Sequence, residues 1–280
     1  MALSAGQYQI GDLVMGAGTN YLVLDDVNPW TVTTRYDQVS PRTGDHGSWS
    51  GQEWRDEVMV PMRIRVRNQA DGTPGGWLAA HQRLAAAFTP SHTDVELRWM
   101  TGGVEYMMRG RPRLVEPEVT TIRRGYSVTR CAFAALDPRI YGAEQVASTL
   151  LPSSSGGLVW PVTWPETWPA VVTSGRIQAS NEGRAPTRPR LVIHGPVEGP
   201  RVTLVDTGQT LAWDLALTAG QWLDVDTDRR TSLINGQVSR SGQMTSRQWF
   251  ELPPGGSEIA FGASVHNPDA ALSVAYRSAW

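Results

Sequence analysis

From Val60 to Arg67 the chain alternates strictly, with Val60, Met62, Ile64 and Val66 on one side and Arg63, Arg65 and Arg67 on the other. A period of two sends successive side chains to opposite faces, so this run predicts a strand with one buried face and one arginine-bearing face. A turn-rich segment, Asp71-Gly72-Thr73-Pro74-Gly75-Gly76, follows. Beyond it Trp77, His81, Leu84 and Phe88 recur at helical spacing with alanine between them, which predicts a short amphipathic helix over 77–88. Val95 to Met100 and Val104 to Met108 read as a hairpin across Thr101-Gly102-Gly103, and Tyr126 to Leu136 as a further strand. The first half is therefore expected to be mainly β with one helix.

The second half reads as a β-sandwich. Short runs rich in β-branched and aromatic residues occur at Arg190 to His194, Arg201 to Asp206, Thr210 to Leu217, Trp222 to Thr227, Ser232 to Ile234, Ser257 to Phe261 and Leu272 to Tyr276. Asp206-Thr207-Gly208, Thr218-Ala219-Gly220, Asn235-Gly236 and Pro253-Pro254-Gly255-Gly256 separate them with the positive or pre-set φ that tight connections require. Short strands at this spacing, with no helical period between, predict a sandwich or jelly roll. Asn181 to Pro189 leads in; its two prolines exclude a helix and predict an extended connector.

Between the halves, Pro152-Ser153-Ser154-Ser155-Gly156-Gly157 precedes a segment in which Trp160, Trp164 and Trp168 are each followed by proline. Proline holds the residue before it extended, so three large rings are spaced along a stiff strand. They suit a wedge packed between domains or subunits better than an aromatic ladder for sugars. The domain division expected is 1–145, a linker over 146–180, and 181–280.

Composition narrows the chemistry. At 280 residues the chain suits two domains, and its 19% charged residues, 28 glycines, 19 prolines and 12 tryptophans favour turns, strands and contact surfaces. All 25 basic residues are arginine, which removes a Walker lysine, a Schiff-base lysine and the kinase strand lysine. A net charge of −2 offers no global attraction to nucleic acid. Met1 to Ile10 carries neither a basic n-region nor an apolar h-region, so no secretory signal is expected, and the uncharged stretch Gln145 to Pro165 is broken by Pro152 and Pro161 and is not expected to span a bilayer. Cys131 stands alone, so neither an intramolecular disulfide nor a cysteine metal site is expected.

Catalytic patterns are weak. The histidines, at 46, 81, 92, 194 and 266, form no HxxxH or HxH pair, and Gly16-Ala17-Gly18 lacks the third glycine of a phosphate turn. His81 falls on the apolar helix face, where a satisfied core histidine is the ordinary outcome. Asp224, Asp226 and Asp228 resemble the start of a calcium loop, but Arg229 occupies the glycine position and Asn235 the glutamate position. A glycosidase pair is set by spatial separation of two carboxylates, which spacing along a chain does not test. No catalytic residue, metal or cofactor is expected.

The order of features resembles the distal tail proteins of long-tailed siphophages, especially minor tail proteins of phages of actinobacteria. Gly47 to Arg67 resembles the family's loop leading into an Arg/apolar strand, Phe133 to Tyr141 with its Asp137-Pro138-Arg139 resembles the close of the first domain, and Gly156 to Pro169 resembles its aromatic-Pro linker. Asn181-Glu182-Gly183, Ala185-Pro186, His194-Gly195-Pro196, Thr207-Gly208, Val225-Asp226-Thr227, Ile234-Asn235-Gly236 and Leu252-Pro253-Pro254-Gly255 follow the motif order of the second domain.

The resemblance implies a tail-tube-like N-terminal β-sandwich or barrel with one short helix, and a galectin-like C-terminal β-sandwich. It implies a homo-oligomer, a hexameric ring at the distal end of the tail, assembled in the host cytoplasm. This virion baseplate protein would join the tail tube protein to the tip hub or tail-associated protein, with the tape measure protein as a further partner, no membrane, and DNA only as cargo passing through the ring. Trp49, Trp54 and the Arg63/Arg65/Arg67 face are candidate interface material, together with Trp160, Trp164 and Trp168; the plain alternative for the arginines is a solvated strand face. A carbohydrate-binding or receptor-binding module is the second reading, and a glycan-cleaving enzyme with dispersed carboxylates the third. His266-Asn267-Pro268 resembles the sugar-binding stretch of galectins, but Asp269 stands where that motif has arginine, so the sugar-clamping donor is missing.

Overall fold

A computed structural model describes residues 3–25, 27–36, 39–67, 76–90, 92–118, 126–155 and 171–280. The chain divides into two compact units, Met1–Gly142 and Ala143–Trp280.

In the first unit, β1 (Tyr8–Ile10), β2 (Leu13–Met15) and β3 (Tyr21–Val23) are three-residue strands, and β4 (Thr34–Tyr36), β5 (Val39–Pro41), β6 (Ser48–Ser50) and β7 (Glu53–Arg55) form a separate extended hairpin. After these come β8 (Val58–Arg67), α1 (Gly76–Ala87), β9 (Val95–Thr101), β10 (Val104–Glu118) and β11 (Tyr126–Ala135). The sheet order is β2–β1–β9–β10–β11–β8–β3. The Gly16 N–H donates to the Tyr21 carbonyl at 2.7 Å, which ties together the two ends of that order.

The alternation in β8 is obeyed: Val58, Val60, Met62, Ile64 and Val66 are buried, and Met59 and Arg63 face outward. Opposite them on the core face of β11 lie Phe133, Cys131, Thr129 and Ser127. Over this face α1 packs Ala80, Leu84 and the following Phe88, and the Tyr21 hydroxyl donates to the Ala80 carbonyl at 3.1 Å. Burying side chains of this size stabilises by about 1.5–3 kcal/mol each. His81 differs from expectation: it is half-buried, and its Nδ1 is buried with no hydrogen-bond partner.

The expected strand 104–108 runs ten residues further, to Glu118. Proline removes a ladder donor, and the chain accommodates Pro112 by a register shift between Pro112 and Leu114. The Asp137-Pro138-Arg139 motif is likewise explained by local bonds. Asp137 accepts from the Arg139 N–H and from the Tyr141 hydroxyl, closing a turn.

The second unit contains β12 (Tyr141–Leu150), which straddles the division, then β13 (Ser153–Ser155), β14 (Val171–Thr173), β15 (Arg176–Asn181), β16 (Arg190–His194), β17 (Val197–Glu198), β18 (Arg201–Leu204), β19 (Gln209–Trp213), β20 (Ala216–Leu217), β21 (Trp222–Asp226), β22 (Thr231–Ile234), β23 (Val238–Ser239), β24 (Met244–Arg247), β25 (Gly255–Gly262) and β26 (Ala271–Ala279). One sheet runs β12–β26–β16–β21–β22–β23 and the other β15–β25–β18–β19–β24. Between them lie Leu191, Ile193, Leu223, Val225, Leu272 and Val274 from the first, and Ile177, Val202, Leu204, Leu211, Ile259 and Phe261 from the second. Two antiparallel sheets sharing one apolar layer are a β-sandwich. The Asn235-Gly236 turn has φ of 52° and 69°, closed by the Gln237 N–H on the Ile234 carbonyl, as a tight hairpin turn requires.

Both ends of the expected 146–180 linker are strand: residues through Leu150 belong to β12, and β15 begins at Arg176. The connector 181–189 is also seated on the sandwich. Asn181, Gly183, Ala185, Thr187 and Pro189 are buried in alternation, with isolated bridges Ala185 to Ala279 and Thr187 to Leu252. The Trp-Pro repeats, with Trp160, Trp164 and Trp168, lie outside the described residues.

Candidate assembly interface

Arg63, Arg65 and Arg67 share the outward face of β8, and pairing with β11 sets Arg63 opposite Arg130, Arg65 opposite Val128 and Arg67 opposite Tyr126. The face is not a bare cationic stripe. The Arg63 guanidinium lies 3.5 Å from Asp25, Arg130 lies 3.4 Å from Glu118, and the Arg65 guanidinium sits 5.1 Å above the Tyr126 ring. Arg65 is half-buried with its Nε in contact with no acceptor, while Arg63 is about half exposed. Exposed pairs of this kind contribute little to stability.

Trp49 and Trp54 are not on this face. They sit in the hairpin β4–β7/β5–β6, where Trp54 pairs with Arg35 and Trp49 with Ser40. Every described residue from Val39 to Arg55 is exposed, and the tip turns at Arg42 to Gly47, where the Arg42 N–H donates to the Gly47 carbonyl. Trp49 is 64% exposed and carries the Arg42 guanidinium 4.5 Å over its ring. An isolated two-stranded ribbon without a buried face is marginal in water.

The arm is rooted by a cluster that the sequence did not reveal. Trp30, just before it, meets Tyr106 edge-on at 5.0 Å and the buried Trp99 at 6.2 Å, and the return strand enters the core at Val58. The β9–β10 hairpin sets Tyr106 opposite Trp99, and Trp30 joins them from a distant part of the sequence, a contact that no local periodicity signals.

Beside the sheet is an apolar groove of about 690 Å³, lined by Leu13, Val14, Ala86, Ala87, Val95 and Pro112 among others. Asp12 and Arg83 supply charge to its lining. Burial raises the Tyr21 hydroxyl pKa above its ordinary value, and the nearby Arg83 opposes that shift.

In the second unit the acidic run Asp224, Asp226, Asp228 is occupied by the protein's own donors. Arg190 bonds Asp224 through Nε at 2.7 Å, Arg188 bonds Asp228, and Asp226 accepts the Asp228 and Arg229 N–H groups. Among the described residues no group of three or more His, Cys, Asp or Glu is placed to hold a metal ion. His266 lies in an exposed loop, and the Asn267 side-chain oxygen accepts the Asp269 N–H to close that turn. Among the described residues no helix is long and apolar enough to cross a membrane.

Comparison with known proteins agrees with this architecture. Residues 182–280 match the family described as the siphovirus-type tail component, C-terminal domain. No curated protein matches the sequence. The crystal structure of the SPP1 Dit protein, described as a paradigm of hub adsorption apparatus in phages infecting Gram-positive bacteria, is similar with a TM-score of 0.67 at 12% identity, over 98% of both chains. A chain of the phage P2 baseplate in its activated conformation with Ca is similar with a TM-score of 0.58 at 11% identity, over 96% of this chain and 97% of that one. The same baseplate with Sr gives the same values. The mainly β fold of this chain is thus similar to that of the SPP1 Dit protein through nearly its whole length.

Proposed function

We propose that this chain, which carries a siphovirus-type tail component domain over residues 182–280, is a structural protein of a phage tail tip that acts by assembly and performs no chemistry. The observation carrying this reading is that one domain matches the tail-component family while the fold of both halves matches a tail hub protein end to end. In this reading the first unit closes into a hexameric ring at the distal end of the tail tube. The ring contacts the tail tube protein, the tip hub or tail-associated protein and the tape measure protein, and DNA passes through its lumen.

A ring with cyclic symmetry has heterologous interfaces, so each copy must present two different, complementary patches. The exposed arm with Trp49 and Trp54 and the arginine face with Arg63, Arg65 and Arg67 supply distinct surfaces for this purpose. Trp160, Trp164 and Trp168 serve as packing anchors in the same scheme. Gold-labelled antibody against the chain, applied to intact virions, is expected to mark the distal end of the tail. Labelling confined to the capsid, or of no virion part, contradicts the proposal.

A further inference from the structure

We infer that the arm over residues 39–55 of one copy seats Trp49 in the groove beside α1 of a second copy, and that this arm-in-groove contact is the joint of the ring. The inference rests on the ring reading above and deepens it by naming both halves of the interface.

The arm is the first half. Its residues 39–55 are all exposed, and it carries two of the chain's largest apolar side chains, Trp49 and Trp54, exposed to 64% and 49%. Burying an aromatic ring of this kind removes roughly 150–250 Å² from water, and tryptophan in a pocket is the commonest anchor of a protein interface. The groove is the second half. Its walls are the aliphatic side chains of Leu13, Val14 and Val95 and the alanines of α1, with the buried Ile10 and Tyr21 beneath. At about 690 Å³ it falls within the range that accepts a drug-sized apolar body, which is ample for an indole with its stacked guanidinium.

Charge selects the occupant and its orientation. The arm tip brings Arg42, which rides on the Trp49 ring, and Asp45, 3.9 Å from Arg42. The groove lining offers Asp12 and Arg83, the opposite signs for each. Seating Trp49 brings Arg42 and Asp45 to a lining that holds both an acid, Asp12, and a base, Arg83. Arm and groove are different surfaces of the same unit and neither complements itself. Such a contact propagates head to tail, as a closed ring needs, and does not terminate in a two-fold dimer.

Mixing of two full-length variants tests this by sedimentation velocity, with thermal melts as the control for folding. W49A/W54A removes the arm anchors, and Ala86→Glu places a charge in the groove at an exposed helix position suited to glutamate. Each variant alone is expected to melt like wild type but to dissociate at least about 30-fold more readily, the factor that matches a loss of about 2 kcal/mol. An equimolar mixture is expected to form heterodimers and nothing larger, because each pair retains one intact arm and one intact groove. Trp49→Phe is expected to restore part of the assembly. Variants that assemble like wild type, or a mixture that stays monomeric, overturn the inference and leave the ring reading standing. A wild-type chain that is monomeric at every concentration overturns both.

Discussion

Asn181 and Ala279 lie 98 residues apart in sequence, and the Asn181 side-chain oxygen accepts the Ala279 N–H at 3.1 Å. The same oxygen accepts the Gly183 N–H, and the side-chain amide donates to the Ala185 carbonyl at 2.8 Å and the Leu252 carbonyl at 3.2 Å. One buried amide thus fastens the entry segment of the sandwich to its last strand and to the 252 turn. Gly183 must be glycine for this approach: a Cβ there would meet the Ala279 carbonyl oxygen at 1.7 Å. Asn181→Ala strands several buried backbone groups and is expected to cost about 3 kcal/mol, seen as an earlier denaturant midpoint at unchanged slope. Gly183→Ala is expected to cost at least as much, through forced displacement of Ala279.

Burial of Cys131 pushes its thiol pKa from 9.0 up to about 12. The folded chain therefore holds this proton more tightly than the unfolded chain. Stability from this group is complete below about pH 9 and is lost as pH rises toward 12. Thermal midpoints measured from pH 8 to 10.5 are expected to fall less steeply for Cys131→Ala than for wild type. Native Cys131 is expected to resist alkylation at pH 8 and to react at once in denaturant.

Arg188 bridges Glu251 and Asp228 at 2.7 and 2.6 Å, an arrangement that invites a large stability claim. All three side chains are about one-third or more exposed, so solvent screens the pairs. Arg188→Ala is expected to cost under about 1 kcal/mol in chemical denaturation. A loss of several kcal/mol would show that the network is effectively desolvated.

Arg63 gives the cleanest test of the β8 face, being paired only loosely with Asp25 and about half exposed. Arg63→Glu is expected to weaken self-association in native mass spectrometry while shifting the melting midpoint by no more than an exposed pair can, under about 1 kcal/mol. An unchanged oligomer assigns that face to solvent.

The parts of the fold legible in sequence are those where local pattern and tertiary role coincide. β8 was legible because a single buried face imposes a period of two, and the 235–236 turn because only residues tolerant of positive φ fit it. β16 runs over the same residues as its apolar run, Arg190–His194. The strands β1, β2 and β3 were illegible, since three residues are too few to show a period. β12 escaped because its residues are small and polar, and pairing rather than apolar alternation makes it a strand. The segment 181–189 reads as a connector because hydrogen bonds through Asn181 and backbone bridges, not a hydrophobic stripe, hold it in place. The sequence singles out Trp49, Trp54 and the β8 arginines only as candidates for an interface. It did not reveal that the tryptophans sit on an arm apart from the arginines, nor the groove, whose walls come from segments as distant as Leu13, Ala86 and Pro112.

Class averages of the purified full-length chain by electron microscopy test the central claim most directly. A closed six-fold ring with an open lumen is expected. A two-fold dimer, or particles that remain single chains at high concentration, contradicts it.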